Sequence, residues 1–393
     1  MIDRFGKVLF ILGNLNIGGS ERKIVRLVNR LRRQGRDAEL AYLRMPDVLL
    51  PQIDSAVPVS YLGELHRFSP RVLWRLIRLI RERGIKIIVT VNPYPMLYAL
   101  PASWLLATLG VRVVASVNTS EFMARRGFDP MKIYAPLMRR VSTIVFGSLR
   151  QRGDWLSRYR LPKARSIVVH NGIDTGYFEP GATASQGLAI RDELAIGQDE
   201  FVFVCVGQLR PEKAHVNQLE ALTRLERIHG LRPHLLIVGE GAERERIAER
   251  AAGLGIAARV HMIGEVAEVR PYLDAADAFV LSSIAVETFS NAALEAAAMS
   301  LPVVLSDVGG AREMFPGDRG GFVYARHDID QLVEHLAMIQ APGKALAEGS
   351  VAREIVVTGF SIRQMVDAWD RLLWSPTETA TATAAACGLE DPG

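Results

Sequence analysis

The stretch KVLFILGNLNIGGSERKIVRLVNRLRRQG, residues 7–35, carries three structural signals in a row. After the opening Lys7, residues 7–13 are a continuous apolar run, as a parallel strand covered on both faces requires. A glycine turn follows at Gly18-Gly19-Ser20. Ile24, Val25, Leu27, Val28 and Leu31 then recur at helical spacing, up to a stop at Gly35. The strand pattern returns in KIIVTVN (86–92), VRVVASV (111–117) and STIVFGS (142–148). Before the first of these a helix is bounded by Ser69 as N-cap, Pro70 as its first residue and Gly84 as its stop. It sets Val72, Leu73, Leu76, Ile77 and Ile80 on one face and Arg71, Arg75 and Arg78 on another.

The second half repeats the scheme with FVFVCVG (201–207), HLLIVGE (234–240), RVHMIGE (259–265), AFVLSS (278–283) and PVVLSD (302–307). Strands alternating with helices at this spacing imply an α/β fold of two parallel sheets in tandem. Such sheets bind ligands in a cleft at the carboxyl ends of their strands. Asn-Gly, Gly and Pro cluster in NGIDTGYFEP (171–180), which divides the chain into domains of residues 1–180 and 181–360. SIRQMVDAWDRLLW (361–374) reads as a last amphipathic helix, and the low-complexity tail 376–393 as disordered.

With 393 residues, 49% hydrophobic and 23% charged, the chain has the composition of a packed two-domain protein. Two cysteines, Cys205 and Cys387, build neither a disulfide framework nor a thiolate zinc site, and fit a reducing, cytoplasmic compartment. The N-terminus has no small-residue cleavage site, against a signal peptide. The longest apolar stretch, residues 96–110 with Pro101, is too short for a bilayer core of ~30 Å and reads as a core helix. Residues 1–180 hold 29 Lys+Arg against 13 Asp+Glu, net +16; residues 181–393 hold 18 against 30, net −12. A basic half joined to an acidic half implies different electrostatic partners.

ETFSNAALEAAAMSLPVVLSDVGGAREMF, residues 287–315, is where chemistry concentrates. It places Glu287 in a loop after a strand and Glu295 on the following helix. That helix starts near Ser290-Asn291, with its free N–H groups suited to phosphate. Carboxylates on either side of a phosphate site can take the hydroxyls of a phosphorylated sugar. No histidine pairing has metal-ligand spacing, and neither a P-loop nor a Gly-x-Ser-x-Gly elbow occurs. Asp328-Ile329-Asp330 is read as a helix N-cap and not as a metal motif.

This region resembles the signature of the family-four retaining glycosyltransferases of the GT-B fold: Glu287, Glu295, Pro302-Val303-Val304, Gly309-Gly310 and Glu313. GGSER (18–22), VVHNGIDTGYFEP (168–180) and VGQLRPEKAH (206–215) fit the same family in order. The resemblance covers residues 6–375. It implies two Rossmann-like domains facing a cleft, with the last helix, 361–375, packing back on the first. The donor is then a nucleotide diphosphate sugar, bound as substrate with no cofactor and no metal. Lys213 matches the lysine on the donor diphosphate, Glu295 the residue on the ribose and Glu287 the one facing the transferred sugar. Gly18 and Gly19 match the loop that closes over the donor, Ser290 and Asn291 the helix N-terminus, and Glu265 and Val266 the loop that meets the base.

Two positions depart from the pattern. Gln208 stands where the family often has arginine, which leaves Arg210 to complete the cationic clamp. Asn118 stands where a histidine is common; asparagine can position a hydroxyl but is neither acid nor base at neutral pH. The basic helix at 70–83 and the cluster at 122–140 point to peripheral contact with an anionic membrane. The expected function is transfer of a sugar, with retention and without metal, to a glycan or lipid-linked acceptor on the basic half. No nucleic-acid partner is expected. An epimerase or hydrolase acting on nucleotide sugars, and a non-enzymatic basic module binding membrane or nucleic acid, are the alternatives.

Overall fold

The computed structural model describes residues 6–16, 18–63, 69–119 and 129–375, so the tail 376–393 lies outside the described residues. The chain divides into two compact units, residues 1–171 with 363–393, and residues 172–362.

The first unit is built on a seven-stranded sheet. Its strands are β1 (Lys7–Leu12), β2 (Ala38–Tyr42), β3 (Val59–Tyr61), β4 (Ile85–Val91), β5 (Arg112–Val117), β6 (Thr143–Phe146) and β7 (Ser166–Val168). They run parallel in the order β3-β2-β1-β4-β5-β6-β7. The second unit has β8 (Val202–Val206), β9 (His234–Val238), β10 (Val260–Gly264), β11 (Ala278–Leu281), β12 (Val303–Ser306) and β13 (Gly321–Tyr324), parallel in the order β10-β9-β8-β11-β12-β13. Two parallel sheets wrapped by crossover helices are the architecture that the strand and helix alternation predicts.

Four strands are additional to that reading. β3, β7 and β13 are sheet edges of three or four residues, too short for a periodic signal. β2, AELAY, is interrupted by Glu39, which is buried and faces Arg83 at 3.6 Å.

The helix Pro70–Arg83 has the expected bounds, with Gly84 left-handed at φ 68°. The Ser69 side chain makes no cap bond; its N–H instead donates to the Tyr98 hydroxyl at 3.1 Å. Val72, Leu76 and Ile80 are buried. The apolar stretch at 96–110 forms the helix Met96–Leu105 and a following turn, and buries Met96, Tyr98, Ala99, Leu100 and Ala102. It is a core helix only in part, because Trp104 and Leu105 are exposed.

The division after Asn171 falls at the start of the expected linker. Ile173 and Phe178 enter the core of the second unit, and the Arg270 guanidinium lies 3.7 Å from the Tyr177 ring centre. The helix Ile362–Trp374 belongs to the first unit from Arg363 onward. Its Trp369 is fully buried, edge-on to Phe10 of β1 with ring centres 6.1 Å apart. Arg36 donates two bonds to Asp370, at 2.6 and 2.8 Å. Truncating a buried tryptophan costs about 3–5 kcal/mol. Trp369→Ala is therefore expected to lower the stability of the first unit by that amount in urea denaturation, leaving the second unit's transition in place.

Candidate active site

Each sheet has one point where the winding reverses: between β1 and β4 in the first unit, and between β8 and β11 in the second. Loops leaving the two strands at such a point diverge, and the crevice between them is where open α/β sheets bind ligands.

In the second unit those loops bring Lys213 and Glu287 together. Lys213 Nζ donates to Glu287 Oε2 at 2.5 Å, and both side chains are largely buried, with 19% and 16% of their surface exposed. Burial alone pulls the Lys213 ammonium toward its neutral form. The adjacent carboxylate outweighs that, so its pKa stands above the ordinary lysine value.

The supports of this pair are tightly specified. Ser282 Oγ donates to the carbonyls of Lys213 and Ala214, at 3.0 and 2.9 Å. Ser283 Oγ donates to Glu287 Oε2 at 3.3 Å, and Ser306 Oγ of β12 to the Ser283 carbonyl. Val286, a β-branched residue, is held left-handed at φ 55°, immediately before Glu287. Such strain persists only where the surroundings impose it. Here Gly309, at φ 59°, lies so close that a Cβ would stand 2.2 Å from the Glu287 carbonyl oxygen, and the Gly310 N–H donates to the Thr288 carbonyl at 2.8 Å. No other residue fits at 309.

The helix Asn291–Ala298 follows. Ser290 caps it, accepting from the Ala293 N–H at 3.3 Å, and Glu295 lies partly exposed on its second turn. A small cavity is bordered by Ser283, Glu287, Ser290, Ser306, Val308 and Met314. Gln208 and Arg210 are exposed on the loop after β8, with Arg210 3.8 Å from Glu212. Glu265 is exposed after β10, and Val266 packs partly into the core. His215, just past Lys213, is buried with neither ring nitrogen bonded; burial, then the charge of Lys213, depresses its pKa to about 4. Neither His215 nor the serines Ser282, Ser283 and Ser306 stood out in the sequence, because each is informative only through what it touches.

The first unit holds the other expected residues. Gly18 precedes the helix Gly19–Arg33 as its N-cap. Asn118, just after β5, accepts from Lys23 Nζ at 2.8 Å. Lys23, on that helix, was not singled out in the sequence, where it sits at the edge of an apolar face. Among the described residues no group of three or more His, Cys, Asp and Glu gathers as a metal site would.

Two parallel sheets of this kind, each reversing once, are the pair of Rossmann-like domains of the GT-B fold. The description "Glycosyltransferase Family 4" matches residues 17–177, and "Glycosyl transferases group 1" matches residues 188–344. The chain belongs to the family-four glycosyltransferases of group 1 type. It is 28% identical over 318 residues to a GDP-mannose-dependent alpha-(1-6)-phosphatidylinositol monomannoside mannosyltransferase of Mycobacterium tuberculosis, covering 77% of this chain and 78% of that protein. It is 32% identical over 224 residues to a D-inositol 3-phosphate glycosyltransferase of Mycobacterium avium, covering 54% of this chain and 50% of that protein. Among solved structures, Anabaena Alr3699/HepE in complex with UDP shares the fold, with a TM-score of 0.81 at 19% identity over 94% of this chain and all of that one.

The ion pair predicts how stability depends on pH. Because the Lys213 pKa is raised on folding, its contribution is fully present below the unfolded value of 10.5 and is lost as pH climbs through the higher folded value. Glu287→Gln strands the ammonium at a cost of about 2–3 kcal/mol at pH 7. Urea denaturation from pH 7 to 11 is expected to show that loss, and a shallower alkaline decline than in the wild type.

Proposed function

We propose that the protein transfers a sugar from a nucleotide diphosphate sugar to a glycan or lipid-linked acceptor, with retention of anomeric configuration and without a metal ion. The observation that carries this reading is the buried Lys213–Glu287 pair at the reversal of the second sheet, followed directly by a capped helix N-terminus. An ammonium kept charged by its neighbour suits a leaving diphosphate, whose negative charge grows as the glycosidic bond breaks. The positive end of the helix Asn291–Ala298 adds to it. Glu295 takes the ribose hydroxyls, and Glu287 faces the sugar ring. No second carboxylate stands beside Glu287 as a nucleophile among the described contacts. In family-four fashion, the acceptor hydroxyl then attacks on the face the diphosphate leaves, and a phosphate oxygen receives its proton.

A divalent ion is dispensable in this scheme. Lys213 supplies the countercharge. The carboxylates of the Asp-x-Asp segment are already engaged: Asp328 caps a helix by accepting the Gln331 N–H at 2.9 Å, and Asp330 accepts from Arg224 at 2.7 Å.

Radiolabelled transfer from GDP- and UDP-sugars tests the site. Lys213→Ala removes a charge-assisted contact of roughly 1.5–3 kcal/mol, so turnover is expected to fall about ten- to a hundredfold. Glu295→Gln weakens nucleotide binding with little change in kcat, Glu287→Gln lowers kcat, and Gln208→Arg tightens donor binding. EDTA and Asp330→Ala leave transfer near wild type. Wild-type turnover in both Lys213→Ala and Glu287→Gln would place the site elsewhere. Release of free sugar with no acceptor consumed would favour a hydrolase.

We also propose that the first unit meets an anionic membrane surface. The helix Pro70–Arg83 packs against Met96–Leu105, which packs against Met131–Met138. These helices expose Trp74 (62%), Trp104 (48%), Leu105 (65%) and Ile133 (49%). Arg78 and Arg140 lie over the two tryptophan rings, at 5.9 and 5.7 Å. Aromatic rings beside arginines suit a lipid headgroup boundary. Residues 122–128 of the second basic cluster lie outside the described residues. Among the described residues no helix is long and apolar enough to cross a membrane. The protein is expected to sediment with phosphatidylglycerol vesicles at low salt, and to be released as the Debye length falls below ~8 Å. Trp74→Ala with Trp104→Ala reduces that binding, and equal binding to neutral vesicles would refute it.

A further inference from the structure

The segment that delivers Glu287 to the site is short and held from two sides. It leaves β11 at Ser282 and reaches Glu287 through Ser283, Ile284, Ala285 and the left-handed Val286. Ile284 has both of its main-chain groups engaged. Its N–H donates to the Glu212 carbonyl at 2.8 Å, in the turn that carries Lys213. Its carbonyl accepts from Arg326 Nη1 at 3.1 Å. The first bond ties the segment to the Lys213 loop, and the second reaches it from the far edge of the sheet.

Arg326 comes two residues after the edge strand β13, and β12 lies between β13 and β11. It is exposed, but the turn that carries it is fixed. The Asp328 N–H donates to the Ala325 carbonyl at 2.9 Å, and the Ala325 N–H to Gln331 Oε1 at 2.6 Å. Between them His327 is left-handed at φ 73°, and Asp328 caps the helix Ile329–Ile339. The guanidinium is thus presented from a rigid turn to a carbonyl three residues ahead of Glu287.

Val286 gives that bond its weight. A β-branched residue at positive φ is strained, and it relaxes once the chain ahead of it is free to turn. A charge-assisted bond from a guanidinium is of the same order as such strain. Beyond Glu287 the chain is pressed by Gly309 and bonded by Gly310; ahead of it the holds are on Ser283 and Ile284. An exposed bond of this kind adds little to global stability, so its effect falls on the direction of Glu287.

We propose that Arg326 is a positioning residue for sugar transfer: by holding the Ile284 carbonyl it keeps Val286 left-handed and Glu287 turned toward the sugar. The inference rests on the glycosyltransferase reading, in which Glu287 faces the sugar ring. Arg326 acts through Glu287 and not on the donor.

Amide hydrogen exchange and steady-state transfer, both on the full-length chain, test it together. Arg326→Met keeps the aliphatic stem and removes the hydrogen-bond donor. It is expected to speed exchange in peptides spanning residues 283–288 about tenfold, with the melting temperature unchanged. In transfer from GDP- and UDP-sugars its kcat should fall about tenfold, while the GDP and UDP dissociation constants stay within about twofold. Arg326→Lys, which keeps a cationic donor for a single bond, should recover most of both effects. In a Glu287→Gln background, Arg326→Met should change kcat by less than about twofold, because the group it positions is already gone. Unchanged exchange at 283–288, faster exchange with kcat intact, or a full loss of kcat in the Glu287→Gln background overturns the proposal. So does a loss of nucleotide affinity that matches the loss of kcat, since Arg326 would then touch the donor itself. No transfer by the wild type from any donor, with exchange at 283–288 still dependent on Arg326, would overturn the glycosyltransferase reading and leave the hold on Glu287 standing.

Discussion

The contact between Lys213 and Glu287 joins the loops that leave β8 and β11, the paired strands from which the second sheet winds in opposite directions. Loops at such a point have no ladder to register them. Something else must hold them, and here it is one ion pair, the hydroxyls beneath it and the Ile284 N–H donating to the Glu212 carbonyl at 2.8 Å. Ser282 ties the end of β11 to the Lys213 loop, and Ser306 ties β12 to β11. Gly309 then presses the next turn against the Glu287 backbone. The left-handed Val286 is the conformational cost of aiming Glu287 inward.

The first sheet treats its own reversal differently. Its cation, Lys23, is more deeply buried than Lys213, and it is bonded to an amide where Lys213 is bonded to a carboxylate. An amide orients an ammonium without neutralising it. Burial acts on both lysines in the same direction; the Glu287 carboxylate carries Lys213 above its ordinary value, while Lys23 stays lowered.

Much of this was legible in the sequence because it lies in local pattern. The apolar runs of β1, β4 and β8, the capped helix Pro70–Arg83 and the Glu287–Glu295 spacing need no tertiary information. Edge strands β3, β7 and β13 were not legible, since three or four residues paired on one side carry no periodicity. Lys23 and His215 were hidden for another reason. Each follows a glycine loop or turn as an ordinary helical residue, and only the packing around it shows that a polar group has been buried. Trp74, on an arginine-rich face, reads in one dimension like any exposed position.

The helix Ile362–Trp374 has a consequence for how the chain is made. Phe10 of β1 meets Trp369, and Arg36 meets Asp370, across more than three hundred residues. Domains usually fold in the order in which the ribosome delivers them. Here every residue of the second unit, 172–362, emerges before the helix that completes the first. The N-terminal sheet must therefore wait through the synthesis of an entire second unit with the Trp369 contact on Phe10 unmade. For that interval it is the half of the nascent protein that most needs shielding by a chaperone.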